Sequence, residues 1–279
     1  MPELPEAETI ARDLDRALAG ARVAKAELVF KPSLEGPLPL SRLNGKAFRS
    51  AFRRGKHVAM SFEGDLTLVA SLRMTGQFVF ARAPGASPDR GWPKHARAAF
   101  RLDGFTGPEG EDALAFLDVR KFGRLRLLQA TSPETLLPPS LNGPEITDLD
   151  GETLFKALAA SKAPVKSVLM DQKVMAGLGN IYATEILFAA RVSPFRPAAS
   201  ITRPESDIIL EAAGTILAEA VSLRGSTVSN YRAPLGPGRY QERHLAYGKA
   251  GKPCPRCGMP LERAVTAGRA TVYCPHCQK

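Results

Sequence analysis

The apolar residues at the start of the chain follow a helical period. Within residues 5–19, Ile10, Leu14 and Leu18 recur every four positions and form one apolar stripe. Gly20 follows directly, and glycine is common where a helix ends. The pattern predicts an amphipathic helix that packs through this stripe.

The period changes after this helix. From about residue 22 to residue 128, short runs that alternate or are wholly apolar are separated by turn-forming residues. The clearest runs are 58–62, 66–72 and 77–80. Many short strands at this spacing predict a β-sandwich or a barrel.

Helical periods return after residue 149, beyond a Pro-rich stretch at 132–144 that is typical of a linker. The predicted helices are 152–160, 180–190 and 205–223, and the second should carry its apolar residues on one side. A polar stretch rich in Gly, Pro, Arg and Tyr follows at 224–247. A loop of that length is usually functional or disordered. The fold class is therefore α+β, in two domains.

The four cysteines lie in the last 26 residues, as Cys254-x2-Cys257-x16-Cys274-x2-Cys277. Two such pairs fit four thiolates around one tetrahedral Zn²⁺, and a closed shell of this kind indicates a structural ion. Two disulfides or a redox dithiol pair are the alternatives, and a cytoplasmic setting disfavours them. We expect the nearby His244 and His276 to be surface residues rather than ligands.

Charge points to a polyanionic partner. The chain has 38 Lys and Arg against 28 Asp and Glu, a net charge of +10, and such a balance favours nucleic acid, with solubility alone as the alternative. Arg269 stands between the cysteine pairs, at a predicted hairpin turn where an arginine can hold a phosphate.

The acidic, Pro-rich N-terminus is not a targeting peptide, and no run is apolar for the ~18 residues of a membrane span, so the expected location is cytoplasmic.

Two further positions carry candidate chemistry. Removal of Met1 would expose Pro2 as a secondary amine, which can attack a sugar C1′ and form an iminium, with Glu3 beside it to move protons. The simpler interpretation is that prolines open many helices. Lys56 lies in the basic run 53–57 at a strand start and suits either phosphate contact or a charged strand end.

Five separated motifs resemble a known family, in the same order from Pro2 to Lys279. They are PELPE at 2–6, RGKH at 54–57, DVRKFG at 118–123, DQ…GLGNIYATE within 171–185, and the cysteine pairs. Together they resemble the bacterial formamidopyrimidine-DNA glycosylases, also called 8-oxoguanine DNA glycosylases. The resemblance implies a bifunctional glycosylase and AP lyase that excises oxidised purines from duplex DNA and then cleaves the strand by β,δ-elimination.

The resemblance also implies an organisation. We expect a catalytic domain of N-terminal helix and β-sandwich at 1–131, a linker at 132–148, and a helix–two-turn–helix domain at 149–247. The last of these includes a lesion-capping loop at 224–247, and a four-cysteine zinc finger at 248–279 completes the chain. Damaged double-stranded DNA should lie across the cleft between the domains of a monomer.

Four catalytic roles follow from the resemblance. Pro2 is the nucleophile on C1′, and Glu3 is its paired acid/base. Lys56 donates a proton during β-elimination. Arg269 binds phosphate and assists δ-elimination.

Six DNA contacts follow as well. Met74 fills the space left by the flipped nucleotide, while Arg120 faces the orphaned cytosine and Phe122 wedges the stack. Core packing is the alternative for Met74 and Phe122. The remaining contacts are His95, Lys166 and Asn180, of which the last can cap a helix or hold a phosphate.

The chain departs from the family pattern in two places. It has SLRM at 71–74 where HLGM is common, and DVRKF at 118–122 where DPRRF is common. The catalytic positions are unchanged, so the departures bear on lesion search or opposite-base preference.

Two other functions compete with this one. Endonuclease VIII, a sister enzyme for oxidised pyrimidines, shares the catalytic residues but has the capping loop shortened. The long stretch at 224–247, with Thr227, Tyr231 and Tyr240, favours the purine enzyme. A non-catalytic zinc-ribbon protein that binds nucleic acid is disfavoured by the intact Pro2, Glu3 and Lys56.

Overall fold

A computed structural model describes residues 2–84, 91–129, 143–228 and 231–279. They divide into two units. Residues 2, 6–84, 91–129, 226–228 and 231–238 form the first, and residues 3–5, 143–225 and 239–279 form the second. Most of the predicted linker at 132–144 lies outside the described residues. Among the helices that the structure describes, none has both the length and the hydropathy that crossing a membrane requires.

Helix α1 (Leu4–Ala17) confirms the first predicted element. Its apolar stripe is buried, with Ile10 and Leu14 at 0% exposure and Leu18 at 2%. Gly20 has a φ of +82°, which is the left-handed conformation that favours glycine after a helix.

The first unit contains two sheets, in agreement with the predicted β-sandwich. The four-stranded sheet has the order β1-β7-β8-β6, and the five-stranded sheet has the order β2-β9-β5-β4-β3, in which only β2 and β9 pair in parallel. Side chains from both sheets and from α1 form one buried cluster that includes Met60, Phe78 and Phe116. The strands are β1 (Arg22–Leu28), β2 (Leu34–Glu35), β3 (Phe48–Arg54), β4 (His57–Phe62), β5 (Leu66–Ser71), β6 (Gly76–Ala81), β7 (Ala96–Asp103), β8 (Ala113–Asp118) and β9 (Arg124–Gln129).

The second unit is helical and ends in a hairpin. Its elements are α2 (Gly151–Ala159), α3 (Val165–Leu169), α4 (Asn180–Ala189), α5 (Arg203–Ser222), β10 (Glu262–Thr266) and β11 (Arg269–Tyr273). The predicted one-sided burial of the second helix was wrong, because all residues from Ile181 to Phe188 of α4 are buried. A helix that is buried on every face packs inside a core rather than at its surface.

The stretch at 224–247 is not a single loop. Residues 226–228 and 231–238 group with the first unit, whereas the expected organisation placed the whole stretch in the helical domain. The reason is a set of bonds to α1: the Ser226 N–H donates to the Glu6 carboxylate at 2.7 Å, the Tyr231 hydroxyl to the Glu6 carbonyl at 3.1 Å, and the Leu235 N–H to Asp13 at 3.0 Å. Residues 229 and 230 lie outside the described part of the chain.

The second part of this stretch belongs to the helical unit. The buried Glu185 carboxylate on α4 accepts the backbone N–H groups of Leu245, Ala246 and Tyr247 at 2.6–3.0 Å. His244 is 7% exposed and lies edge-on to the Tyr240 and Tyr247 rings, so its assignment to the surface was wrong. His276 is exposed, as expected.

Candidate functional site

Glu3 is fixed at the start of α4. The side chain is 2% exposed, and its carboxylate accepts three backbone N–H groups, from Gly179 at 2.9 Å, Ile181 at 2.9 Å and Tyr182 at 3.2 Å. The start of a helix leaves backbone N–H groups such as these without a helical carbonyl to accept them, and a carboxylate is favoured there by the positive end of the helix dipole. The sequence offered Asn180 as a cap of this helix. The structure corrects that, because Gly179 is the N-cap residue and the carboxylate that serves the helix end comes from Glu3.

Two glycines of the GLGN motif leave the space in which Glu3 and Leu4 pack. A Cβ on Gly179 would clash with the Glu3 carboxyl group, and a Cβ on Gly177 would lie 2.8 Å from the Leu4 Cβ. Gly177 also has a φ of +99° and accepts the Leu4 N–H at 3.0 Å. The motif therefore lets two backbone segments approach more closely than side chains would permit.

Pro2 and Lys56 both belong to the first unit. Pro2 is buried, and Lys56 is half-buried in the two-residue turn between β3 and β4. The sequence predicted that Lys56 opens the strand, but β4 begins one residue later, at His57. Burial, together with the nearby Arg73 charge, lowers the pKa of the adjacent His57 to about 4. His57 is therefore neutral at pH 7, and the positive charge at this turn belongs to its lysine and arginines.

In the second unit, Lys166 and Asn180 lie together. The Lys166 side chain has no exposed surface, and its Nζ donates to Asn180 Oδ1 and Thr271 Oγ1, both at 2.8 Å. The Asn180 amide donates in turn to the Ala270 carbonyl at 3.0 Å. Burial lowers the pKa of Lys166 to about 8, Glu3 opposes that shift, and Arg269 adds to it. Nothing in the sequence around Lys166 indicated that it would be buried.

Arg269 is exposed at the first position of β11. The preceding turn has Ala267 at a φ of +49° and Gly268 at +70°, as a tight hairpin requires. The predicted hairpin between the cysteine pairs is therefore confirmed.

Met74, Arg120 and Phe122 come together at one edge of the first unit. The Arg120 guanidinium donates to the Met74 sulfur at 3.0 Å and lies 4.9 Å from the centroid of the Phe122 ring. Met74 and Phe122 are each 48% exposed, which excludes core packing as their role. His95 is half-buried at a φ of +70°, and its carbonyl accepts the Asp118 N–H at 3.0 Å. An apolar pair around an arginine suits contact with stacked bases.

The four cysteines are arranged as a metal centre. Their sulfurs lie within 4.8 Å of one another, with 4.0 Å between Cys254 and Cys277 and 3.5 Å between Cys257 and Cys274. All four are free thiols, so the disulfide alternative was wrong. Zn–S bonds of about 2.3 Å in a tetrahedron place sulfurs roughly 3.8 Å apart, and the observed separations fit one zinc ion.

The finger is joined to α4. The Arg256 guanidinium donates to the carbonyls of Phe188 at 2.7 Å and Ala189 at 3.0 Å, and it lies 4.8 Å from the Phe188 ring centroid. Arg256 therefore joins the finger to the last turn of α4 through two backbone carbonyls.

A β-sandwich unit, a helical unit and a four-cysteine finger define a class of zinc-finger proteins with two structural units. Three family models match the chain: the formamidopyrimidine-DNA glycosylase N-terminal domain at 1–125, the H2TH domain of the same glycosylases at 142–232, and the zinc finger found in FPG and IleRS at 251–279. The chain belongs to the formamidopyrimidine-DNA glycosylase family.

Relatives match over the full length. The chain is 41% identical to formamidopyrimidine-DNA glycosylase of Thermus thermophilus over 292 residues, covering 100% of this chain and 98% of the relative. The crystal structure of the MutM (Fpg) protein from Thermus thermophilus has a TM-score of 0.85 at 40% identity, covering 99% of this chain and 98% of that one. A complex of Lactococcus lactis Fpg with DNA containing an abasic site has a TM-score of 0.87 at 30% identity, covering 99% of both chains.

Proposed function

We propose that this protein is a bifunctional DNA glycosylase and AP lyase that excises oxidised purines, chiefly 8-oxoguanine and formamidopyrimidines, from duplex DNA. Full-length identity to formamidopyrimidine-DNA glycosylases supports this function. So do the solved relatives, whose DNA carries Fapy-dG or an abasic site. The observation that carries the proposal is the position of the Glu3 carboxylate. It accepts three N–H groups from α4 and its N-cap, and Glu3 follows Pro2 directly in the chain.

The proposed reaction uses Pro2 as the nucleophile. Once Met1 is removed, the Pro2 nitrogen is a secondary amine, and α-amino groups have a pKa of ~8, so a useful fraction is unprotonated at neutral pH. A bond forms from this nitrogen to C1′ while the glycosidic bond breaks, and the base leaves with a proton. Opening of the sugar ring then gives an iminium, with Glu3 as the group that moves protons.

Strand cleavage follows from the iminium. Lys56 donates a proton during β-elimination of one phosphate, and Arg269 binds phosphate and assists δ-elimination of the other. Arg269 is suited to this role because it is exposed at the first position of β11, directly after the hairpin turn. The zinc ion is structural in this proposal, because four thiolates close its coordination shell and leave no position for substrate.

Six other residues are proposed to contact DNA. Met74 enters the space left by the flipped nucleotide, Phe122 wedges the stack, and Arg120 hydrogen-bonds the orphaned base. The exposure of this trio supports these roles. His95, Asn180 and Lys166 are assigned to the DNA backbone. Because Lys166 is buried against Asn180, its contribution is charge and orientation behind the Asn180 amide.

The stretch at 224–247 is the proposed cap over a flipped purine. Its attachment to Glu6 and Asp13 on α1 supports a defined position for this segment. Since one chain carries every proposed catalytic residue and metal ligand, we infer that the active form is a monomer. A DNA substrate also places the protein with the nucleoid in the bacterial cytoplasm.

A lesion panel with covalent trapping tests the proposal. Duplexes carrying 8-oxoguanine, formamidopyrimidine or thymine glycol are incubated with enzyme and borohydride, which reduces the iminium to a stable adduct. We expect adducts with the two purine lesions, none with Pro2→Gly, and wild-type yield with the control Pro37→Gly at an exposed proline.

Several outcomes would contradict the proposal. Preference for thymine glycol would assign the chain to the endonuclease VIII branch. Binding without any adduct would indicate a non-catalytic protein. Turnover by Pro2→Gly, or an active wild-type protein that keeps Met1 by mass spectrometry, would exclude the nucleophile.

A further inference from the structure

Asp118 connects the two loops that carry the exposed residues Met74, Arg120 and Phe122. We define the Met74 tip as residues 72–75, between β5 and β6, and the Phe122 tip as residues 119–123, between β8 and β9. Asp118 has no exposed surface. One carboxylate oxygen accepts the hydroxyl of Thr75 on the first tip, and the other accepts the N–H of Gly123 on the second tip at 2.6 Å.

A second bond joins the tips directly. The backbone N–H of Arg120 donates to the Thr75 hydroxyl oxygen at 3.1 Å. The same hydroxyl therefore donates to Asp118 and accepts from Arg120, so it serves as both donor and acceptor. Through these bonds the Thr75 side chain reaches both Asp118 and the Phe122 tip.

The backbone of Asp118 is held as firmly as its side chain. Its N–H donates to the His95 carbonyl at 3.0 Å, and its carbonyl accepts the Arg97 guanidinium at 2.8 Å. Asp118 is also paired with Gly76 at the end of the β6–β8 ladder. Because Asp118 is bonded through both its side chain and its backbone, it can fix the positions of the loops that bond to it.

The tips have backbone conformations that need such support. Arg73 has a φ of +51° and Lys121 a φ of +62°, and His95, whose carbonyl binds Asp118, has a φ of +70°. Non-glycine residues seldom adopt this region, and they keep it only where the surrounding structure fixes them. Substitution at Gly123 would also place a Cβ 2.8 Å from the Phe116 ring, so the second tip is tight.

We propose that Asp118 is a positioning residue that, through Thr75, holds the Met74 and Phe122 tips at one separation and thereby sets the discrimination of the base opposite the lesion. The inference rests on the proposed function. Cytosine offers two adjacent acceptors to Arg120, whereas adenine offers one acceptor beside a donor. An arginine that is held in place therefore pairs with cytosine and disfavours adenine. An arginine that can shift tolerates either base.

The experiment compares Thr75→Val with Thr75→Ser. Valine keeps the volume and removes the hydroxyl, and serine restores the hydroxyl. Single-turnover excision of 8-oxoguanine is measured opposite cytosine and opposite adenine, and the ratio of the two rates is the readout. Loss of one such bond should lower the ratio about fivefold in Thr75→Val, with Thr75→Ser close to wild type.

Two controls separate positioning from general damage. Ser50→Ala removes a hydroxyl that pairs with Ser61 at 2.8 Å elsewhere in the first unit, and it should leave the ratio unchanged. Cleavage of DNA that already contains an abasic site should be unchanged in Thr75→Val. Asp118→Asn is the second variant. Its amide has a single acceptor oxygen that cannot serve both Thr75 and Gly123, so it too should lower the ratio.

An unchanged ratio in both folded variants would overturn the inference, and so would a serine variant as impaired as the valine variant. Either result would leave the proposed function intact as long as the wild type excises the lesion. A wild type that excises no lesion would instead refute the proposed function, and this inference with it.

Discussion

Lys166 shows how far the surroundings of one residue can change its chemistry. The family resemblance implies a DNA contact for Lys166, but the side chain is buried and bonded to Asn180 and Thr271. Burial holds its pKa at about 8, below its usual 10.5, although Glu3 pulls in the opposite direction. At pH 7 the ammonium is mostly charged, and the fold bears the cost of keeping that charge away from water.

This cost predicts a pH dependence of stability. Because the folded pKa is below the unfolded one, the unfolded chain binds more protons between pH 8 and 10.5, and the free energy of unfolding attributable to Lys166 rises across that window. Urea unfolding should show wild type gaining roughly 2–3 kcal/mol relative to Lys166→Met from about pH 7.5 to about pH 10.5. The exposed Lys162→Met is the control. A constant difference between wild type and Lys166→Met would contradict the prediction.

At the scale of elements, the start of α5 is stabilised from two directions. The Thr202 hydroxyl and the Glu205 carboxylate form a capping box, and Arg196 binds the same carboxylate at 2.5 and 3.0 Å. The sequence predicted that this helix would begin at Glu205, but it begins at Arg203 because Thr202 is the cap. The hydrogen bond from Arg196 is the main cause of a Glu205 pKa lowered to about 2.

Glu205→Gln should therefore destabilise the protein in a pH-dependent way. The stabilisation is present above the unfolded pKa of 4.5 and is lost as pH falls toward 2, since protonation removes the ion pair. Allowing for partial exposure, we expect a deficit of about 2 kcal/mol at pH 7 that shrinks below pH 4.5. Thermal melts from about pH 7 to about pH 3 measure it, with the exposed Glu211→Gln on α5 as control. A deficit as large at about pH 3 as at about pH 7 would exclude the ion pair as its cause.

For the whole molecule, both the net charge and the zinc site bear on DNA binding. The charge of +10 favours DNA without regard to sequence, and the zinc-bound hairpin presents Arg269 for one of the proposed phosphate contacts. A finger this small has little core of its own, with Leu261 and Val272 packed among the cysteines and against Phe188. Metal binding therefore supplies much of its folding free energy.

Removal of one ligand should show this dependence. Cys277→Ser should lose zinc and bind both damaged and undamaged duplexes on the order of tenfold more weakly, with a shallower dependence of affinity on salt. Metal analysis and fluorescence anisotropy at several salt concentrations test this, and exposed His276→Ser in the same finger is the control. Unchanged affinity after zinc loss would show that the finger does not contribute to DNA binding.

The elements were predictable wherever neighbours in the chain decide the structure. The stripe of Ile10, Leu14 and Leu18, the strands of the sandwich and the cysteine pairs are local patterns, and the structure confirms them. The helix at 180–190 was predicted correctly as a helix but not as one buried on all sides. Burial depends on what packs around a helix, and a helical period of apolar residues cannot report that.

Contacts between residues that are far apart in the chain are known only from the three-dimensional fold. Glu3 receives the N–H group of a residue 176 positions away, Lys166 bonds to Thr271 at a separation of 105, and Asp118 joins two loops through Thr75. The elements, the metal ligands and the chemical groups proposed for catalysis could be predicted from the amino-acid sequence, because they depend on residue type and short spacing. Partners far apart in the chain are chosen by how the packed elements bring them together, and no local pattern encodes that choice.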